Sequence, residues 1–189
     1  IYPTPVIGGV GLIKKLSKPL SHNFKKSNSA IILIGKTFGH IEQSCFLKEN
    51  YSIIEGMPPE INLLNEKNNG ESLLKLIDKN LILSAHDISN GGLVTALSEM
   101  TLKSNYGAKI HKPKKLTNLF RYFFGEDQAR YIIEIQAQKL SSVEKLLKES
   151  NVYYENIGFT QENYFEIEGE LKISTKDLFK INNQWYNNY

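Results

Sequence analysis

The 189-residue sequence contains a single cysteine, Cys45, and this scarcity restricts the chemistry open to the chain. One thiol cannot form an internal disulfide or supply a cysteine-rich metal site. The chain therefore fits a reducing compartment. His22, His40 and His111 are scattered without metal-ligand spacing, so the sequence predicts no histidine metal site at these positions.

Long apolar segments are also missing. No apolar run approaches the roughly 20 residues that a bilayer-spanning helix needs. Residues 1–11 lack the basic start and the apolar core of a signal peptide. We therefore expect a cytoplasmic protein without a membrane partner.

Charge of one sign is not concentrated anywhere in the chain. Lysine and arginine number 23 against 20 acidic residues, and the net charge is +3. Lysines cluster only in short pairs such as Lys14-Lys15 and Lys25-Lys26. A nucleic-acid-binding surface usually gathers its positive charge in a stripe, so we expect solvated lysines and no nucleic-acid partner.

The chain opens on Ile1 rather than methionine, which reads like the middle of a longer protein. Its composition, 41% hydrophobic and 23% charged, is normal for a folded domain. We expect an excised piece, in which residues 1–28 are the end of a preceding domain with a linker. Residues 29–189 would then form one domain.

Hydrophobic patterning predicts a mixed sheet covered by helices. Ser29–Gly35 is a continuous apolar run ending in glycine, as in a buried strand. Helices and strands alternate early and strands cluster late, which favours an α+β or mixed α/β domain. The predicted strands are 6–13, 29–35, 81–86, 108–111, 131–135, 153–159 and 164–167. The predicted helices are 43–49, 60–79 (with an interruption at 69–70), 93–100, 115–124, 140–147 and 175–180.

The first candidate site is the segment Ser84–Leu93, where a strand ends, a polar turn follows and a helix begins. Free backbone N–H groups at a helix start favour anions, and glycines allow a phosphate to approach closely. The candidate nucleotide- or phosphate-binding residues are His86, Asp87, Ser89, Gly91 and Gly92. Asp87 also has the oxygen chemistry that Mg²⁺ prefers. An alternative remains open, in which Ser89 or Asn90 caps the helix and the glycines only turn the chain.

The second candidate is the polar turn before the strand 131–135. Glu126, Asp127, Gln128 and Arg130 place two carboxylates, an amide and a guanidinium within five residues. Such groups suit a polar ligand, and arginine suits phosphate in particular. The alternative is that an acidic residue pairs with Arg130 across a solvated turn.

These motifs together resemble one family. Ser84–Met100 (SAHDISNGGLVTALSEM) and Phe124–Tyr131 (FGEDQARY) are similar to the signatures in the C-terminal half of the ATP-using subunit of phosphoribosylformylglycinamidine synthase. Thr4–Ile13 resembles the last strand of the preceding domain of that subunit. The resemblance covers nearly the whole chain and implies that Tyr189 is a natural C-terminus.

The resemblance implies a three-layer α/β/α domain with a mixed sheet, like the C-terminal domain of aminoimidazole ribonucleotide synthetase. It implies a ligase that uses ATP and Mg²⁺ to convert formylglycinamide ribonucleotide and glutamine-derived ammonia to formylglycinamidine ribonucleotide. The implied partners are the upstream domains, a glutaminase subunit and a small accessory subunit. The alternative is a nucleotide-binding or structural domain of another ATP-using enzyme of the same superfamily.

The resemblance also sets a limit on the residues. The catalytic histidine of the family belongs to upstream domains, so we expect no catalytic residue in this chain and an inactive fragment. This chain would be the second of two duplicated domains. Asn90 occupies a position where the family usually has aspartate. His40–Ser44 differs from the glycine-rich sequence that is common at this place in the family.

Overall fold

The computed structural model describes residues 6–12, 20–113 and 118–187. Seven strands form one sheet. They are β1 (Ala30–Ile34), β2 (Ser84–Asp87), β3 (Tyr106–Ile110), β4 (Tyr131–Ile135), β5 (Tyr154–Glu162), β6 (Tyr164–Ile167) and β7 (Leu171–Ser174). The helices are α1 (Cys45–Tyr51), α2 (Leu63–Asp78), α3 (Gly92–Leu102), α4 (Leu119–Phe124), α5 (Leu140–Glu149) and α6 (Thr175–Asn187), with a 3₁₀ turn at Ala137–Lys139.

The sheet is mixed, with the strand order β2-β4-β1-β5-β3-β6-β7. Neighbouring strands are antiparallel except β3 and β6, which are parallel. Strands β1 and β2 both run antiparallel to β4, so both end where β4 begins. The connections that follow β1 and β2 therefore meet the one that precedes β4 at a single end of the sheet.

Helices cover both faces of the sheet, and β1 shows why its sequence is apolar throughout. Ile31 and Leu33 pack into one core with α3 and α4, whereas Ile32 and Ile34 pack into another with α2 and α5. A strand buried on both faces needs no polar alternation. The three-layer α/β/α arrangement and the mixed sheet are confirmed.

Two predictions of secondary structure are wrong, one at the start of the chain and one in α2. Residues 6–12 form no strand, and Val6 and Val10 are exposed because no neighbouring strand pairs with them. Residue 13 of that predicted strand lies outside the described residues, as do 1–5, 14–19, 114–117 and 188–189. Helix α2 runs unbroken through Asn69 and Gly70, because Asn69 is buried and its Nδ2 donates to the Ala129 carbonyl at 2.8 Å.

The last part of the chain contains more secondary structure than the sequence predicts. Strand β7 was not predicted, and it pairs antiparallel with β6. Helix α6 continues to Asn187, beyond the predicted end at residue 180. Among the helices within the described ranges, none is both long enough and apolar enough to cross a membrane.

Candidate functional site

Three connections meet at the end of the sheet where β1 and β2 finish. They are residues 35–44 after β1, 88–91 after β2 and 125–130 before β4. The Glu126 N–H donates to the His40 carbonyl at 2.8 Å, which joins the first connection to the third. The tertiary structure thus brings the two predicted candidate segments together. It adds a third segment, residues 35–44, which was not among the predicted site segments.

Glu126 joins all three connections through one oxygen. Its Oε1 accepts hydrogen bonds from the backbone N–H of Gly91 at 2.7 Å and from that of Cys45 at 2.8 Å. The carboxylate therefore accepts from the N–H of the residue just before α3 and from the first N–H of α1. Burial raises the pKa of the Cys45 thiol, and Glu126 raises it further, so this thiol is not activated as a nucleophile.

The predicted turn residue His86 is held by acidic neighbours. Its Nε2 lies 2.8 Å from Glu99 Oε2, and its Nδ1 lies 3.2 Å from Asp87 Oδ1. Its ring packs against His22 with centroids 5.1 Å apart. Burial lowers the pKa of His22, and the nearby His86 lowers it further. His86 thus packs beneath the turn rather than projecting freely from it.

Asp87 is accessible at this turn, since its side chain is 64% exposed. Within the described part of the chain, no group of three or more His, Cys, Asp or Glu side chains has the arrangement of a metal site. Asp87 can therefore offer one carboxylate to a cation, whose remaining ligands have to come from elsewhere. Its assignment to metal stays a prediction.

The helix start differs from the capping alternative. The N-cap of α3 is Gly91, and no side chain caps it, so neither Ser89 nor Asn90 has that role. Gly91 and Gly92 have φ angles of +80° and +71°. A Cβ on Gly92 would lie 2.7 Å from the Gly125 carbonyl oxygen. Backbone conformation and close packing therefore explain both glycines without a ligand.

Asp127 and Arg130 point into the protein. The Asp127 carboxylate accepts hydrogen bonds from the N–H groups of Phe38, Gly39 and His40 at 2.9–3.0 Å. The Arg130 side chain is fully buried and donates to the carbonyls of residues 125 and 127 and to the Thr37 hydroxyl. Burial lowers the pKa of Arg130, and Asp127 opposes that shift. The alternative is therefore right about the partner and wrong about the solvation: Arg130 Nη1 lies 3.9 Å from Asp127 Oδ2, but both side chains are buried and tied to the connection after β1.

Gln128 is the exposed member of the polar turn. It lines a cleft of about 330 Å³ together with Phe38 and His40, and Pro59, Glu60 and Asn62 form another side. His40 Nε2 lies 2.8 Å from the Met57 carbonyl oxygen, which ties that side to the loop. The cleft offers an amide and an exposed aromatic ring, groups that bind a ligand rather than attack it.

Phe38 and His40 were not among the predicted site residues. A pattern search had little reason to select them, because an isolated phenylalanine and a histidine carry no spacing signal. The two glycines of this segment, Gly35 and Gly39, were a usable signal in the sequence, because glycine often marks a tight turn. In the structure both have positive φ.

The chain is similar to known proteins over its whole length. Residues 26–167 match the family model described as AIR synthase related protein, C-terminal domain. Phosphoribosylformylglycinamidine synthase subunit PurL of Pelagibacter ubique (strain HTCC1062) is 47% identical over all 189 residues. The same subunit of Rhodopseudomonas palustris (strain TIE-1) is 37% identical over the same span. The chain covers 26% of each relative, about a quarter of their length.

Solved structures share the fold at low sequence identity. Thermotoga maritima PurL complexed with FGAR has a TM-score of 0.68 at 17% identity, over 85% of this chain and 29% of that one. Thiamine-monophosphate kinase from Stenotrophomonas maltophilia K279a has a TM-score of 0.55 at 16% identity, over 80% of this chain and 53% of that one. These likenesses establish the architecture.

Proposed function

The chain belongs to the family of AIR synthase related proteins, as their C-terminal domain, and on that premise we propose that it is the C-terminal domain of a phosphoribosylformylglycinamidine synthase. The observation that carries the proposal is the match to the Pelagibacter subunit, which is 47% identical and extends over the entire chain. A fold likeness alone also reaches a thiamine-monophosphate kinase, so identity along the chain is what favours the synthase.

The proposed reaction joins nitrogen to carbon at the expense of ATP. ATP phosphorylates the amide oxygen of formylglycinamide ribonucleotide, which makes that oxygen a leaving group. Ammonia derived from glutamine then displaces phosphate and yields formylglycinamidine ribonucleotide, with ADP and glutamate as the other products. Holding the nucleotide and the substrate in one geometry supplies much of the rate gain in such transfers.

In this proposal the chain binds and positions, and contributes no catalytic residue of its own. PurL of T. maritima has been solved with FGAR, ATP and ADP, which supports ligands of this kind for the whole protein. Asp87, Ser89 and Gln128 are the exposed ones among the candidate site residues, and we assign them to ligand contact. The remaining candidates, His86, Gly91, Gly92, Glu126, Asp127 and Arg130, hold these connections in place.

The proposed Mg²⁺ fits this chain through one group. The exposed Asp87 carboxylate is a hard oxygen donor of the type that Mg²⁺ binds together with nucleotide phosphates. When bound, the cation neutralises charge on the transferring phosphoryl group. The chain's own part is to hold that carboxylate at the end of β2, beside the turn that leads into α3.

The proposed partners are the other domains of the same synthase, a glutaminase subunit that supplies ammonia and a small accessory subunit. A structure of PurLQS from T. maritima supports an assembly of this type. We expect the complex to work in the cytoplasm.

A chimaera tests the proposal. The segment of the Pelagibacter PurL that matches this chain is replaced by these 189 residues, and the product is expressed in a bacterium lacking its own synthase. We expect growth without added purine, and no formylglycinamidine ribonucleotide formation by the 189-residue chain alone. The control chimaera carries Asp87→Ala, which should lower turnover while leaving the folded protein intact.

Two results would overturn the proposal. Amidine formation by the isolated chain would contradict a purely positioning role. A chimaera that is folded and soluble but inactive would point to another ATP-using enzyme of the same superfamily.

A further inference from the structure

A second cleft, of about 590 Å³, lies beside the candidate site, and its lining is basic. It is bounded by α2, by the end of α5 and by the residues that follow β1 and precede β5. Phe38 and Asn65 line both clefts, so the two are adjacent. Its volume lies within the range of pockets that bind small organic molecules.

Two lysines supply the charge of this cleft, Lys36 after β1 and Lys148 near the end of α5. Neither has a carboxylate partner within 4 Å among the described residues, although six other lysines of the chain do. Within the part of the chain that the structure describes, no aspartate or glutamate lines the cleft. An unneutralised pair of cations in a concave surface attracts an anion.

Amide groups surround the lysines. Asn65, Asn68 and Asn151 line the same cleft. Each amide offers two N–H donors, and a cluster of such donors next to ammonium groups suits the oxygens of a phosphate. Asn69 also lines the cleft, but it is largely buried and its Nδ2 already donates to the Ala129 carbonyl.

The backbone fixes the position of both lysines, Lys36 in the turn after β1 and Lys148 in the last turn of α5. Gly35, directly before Lys36, has a φ of +91°, and a Cβ there would lie 2.5 Å from the Ala129 carbonyl oxygen. Asn151 has a φ of +53° and donates its N–H to the Lys148 carbonyl at 3.0 Å. The Gly35 N–H donates to the Tyr153 carbonyl at 2.9 Å, which fixes the two sides of the cleft relative to each other.

An aromatic wall completes the cleft. The Lys36 Nζ lies 5.7 Å from the centroid of the Tyr153 ring, and that side chain is partly exposed. The Tyr153 hydroxyl donates to Glu155, which does not line the cleft. The ring of Phe38 is exposed at the other side. Aromatic faces of this kind pack against a sugar or a base.

We propose that this cleft binds the phosphate monoester of a small organic molecule, with Lys36 and Lys148 on the phosphate and the Tyr153 ring against the organic part. The asparagine amides bind the remaining phosphate oxygens. The inference does not depend on the proposed function, because it rests on groups outside the two candidate segments of the synthase site.

The test titrates the 189-residue chain with AMP, ribose 5-phosphate and inorganic phosphate, with adenosine as the phosphate-free probe. Binding is followed by calorimetry and by amide chemical shifts of residues 35–38, 65–69 and 148–153. We expect both monoesters to bind, adenosine not to bind, and affinity to fall with added salt. Inorganic phosphate should bind more weakly than the monoesters, because it makes no contact with Tyr153.

Charge removal provides the matched control. Lys36→Gln and Lys148→Gln should each weaken AMP binding about tenfold, the effect of losing one charge-assisted contact. Lys176→Gln removes the same charge from α6, which packs against the opposite face of the sheet, and should leave affinity unchanged. Equal weakening by all three variants would show diffuse attraction and overturn the proposal. Absence of binding at millimolar monoester would overturn it as well.

Discussion

Buried or half-buried carboxylates bind backbone N–H groups at three places in this domain. Asp127 accepts from three consecutive residues of the loop after β1, and Glu126 accepts from the N-cap of α3 and from the first residue of α1. Glu134 is buried in β4, where it accepts from the N–H groups of Lys25 and Lys26 and from the Ser84 hydroxyl. Hydrogen bonds to an ionised acceptor are stronger than neutral ones, so single acidic residues hold these loops.

Replacing Asp127 by asparagine should destabilise the chain by about 2–4 kcal/mol. Asparagine keeps one acceptor oxygen, turns an N–H₂ donor towards a backbone N–H, and removes the charge 3.9 Å from the Arg130 guanidinium. Urea unfolding followed by circular dichroism measures the change. Asp78→Asn removes an exposed carboxylate from the end of α2 and should alter stability by less than about 0.5 kcal/mol. Equal effects of the two variants would refute the role assigned to Asp127.

Glu134 should make stability depend on pH. Burial raises its pKa above the ordinary value of 4.5, although its hydrogen bonds oppose the shift. A raised pKa in the folded state means that folding favours the protonated form. Its stabilising contribution is therefore complete below the unfolded pKa and is lost as pH rises through the folded pKa.

The measurement compares wild type with Glu134→Gln by urea unfolding at several pH values. The free energy of unfolding of wild type relative to the variant should be largest below pH 4.5 and should fall as pH rises above it. Glu60→Gln, at an exposed carboxylate, controls for the change in net charge. A difference that grows with pH would mean that the folded pKa is lowered instead.

At the scale of elements, Gly92 and Gly70 differ in how much room their helices leave for a side chain. Gly92 begins α3 with a φ of +71°, and an added Cβ would lie within 2.8 Å of the backbone at residues 123–125. Gly70 lies inside α2, where an added Cβ would meet only the Tyr131 hydroxyl oxygen at 3.7 Å. The first glycine is required by the contact between α3 and α4, whereas the second is not required by packing.

The two Gly→Ala substitutions should therefore have opposite signs. Gly92→Ala should destabilise by at least about 2 kcal/mol, since it adds both left-handed strain and a backbone collision. Gly70→Ala should stabilise by about 0.5–1 kcal/mol, the usual gain in a helix interior. Thermal unfolding of both variants provides the comparison. A stabilised Gly92→Ala variant would mean that the α3–α4 contact is loose.

For the molecule as a whole, residues 51–64 are one of the exposed stretches that are rich in apolar side chains, besides residues 6–12 and helix α6. Tyr51, Met57, Leu63 and Leu64 are each more than 60% exposed. Tyr51 also contacts Phe46, with ring centroids 5.8 Å apart, so part of this stretch continues onto α1. Contiguous apolar surface of this kind is uncommon on an isolated soluble protein.

The isolated chain should accordingly bind a hydrophobic dye such as anilinonaphthalene sulfonate in its folded state. Leu63→Lys together with Leu64→Lys should lower the dye fluorescence and change stability by less than about 1 kcal/mol, because both side chains are exposed. Leu74→Lys changes an exposed leucine of the same helix outside this stretch, and should lower the fluorescence less. Unchanged fluorescence in the double variant would place the dye elsewhere.

Strongly patterned elements were predictable, and isolated ones were not. The apolar run in β1 and the helical spacing of α3 and α5 indicated their elements, because burial imposes those patterns. Strand β7 lacks such a pattern and exists because β6 offers it an edge. The same contrast explains residues 6–12, an apolar segment interrupted by three glycines, which pairs with no strand.

The sequence by itself determined the family, the mixed sheet with helices and the two segments that carry polar groups. Those properties depend on local hydrophobic patterns and on sequence motifs, which can be read from the linear chain. Tertiary structure alone decided that the turn after β2 and the turn before β4 meet through Glu126, and that Asp127 and Arg130 face inward. Strand order decides those contacts, since residues far apart in the chain become neighbours only once β1, β2 and β4 pair.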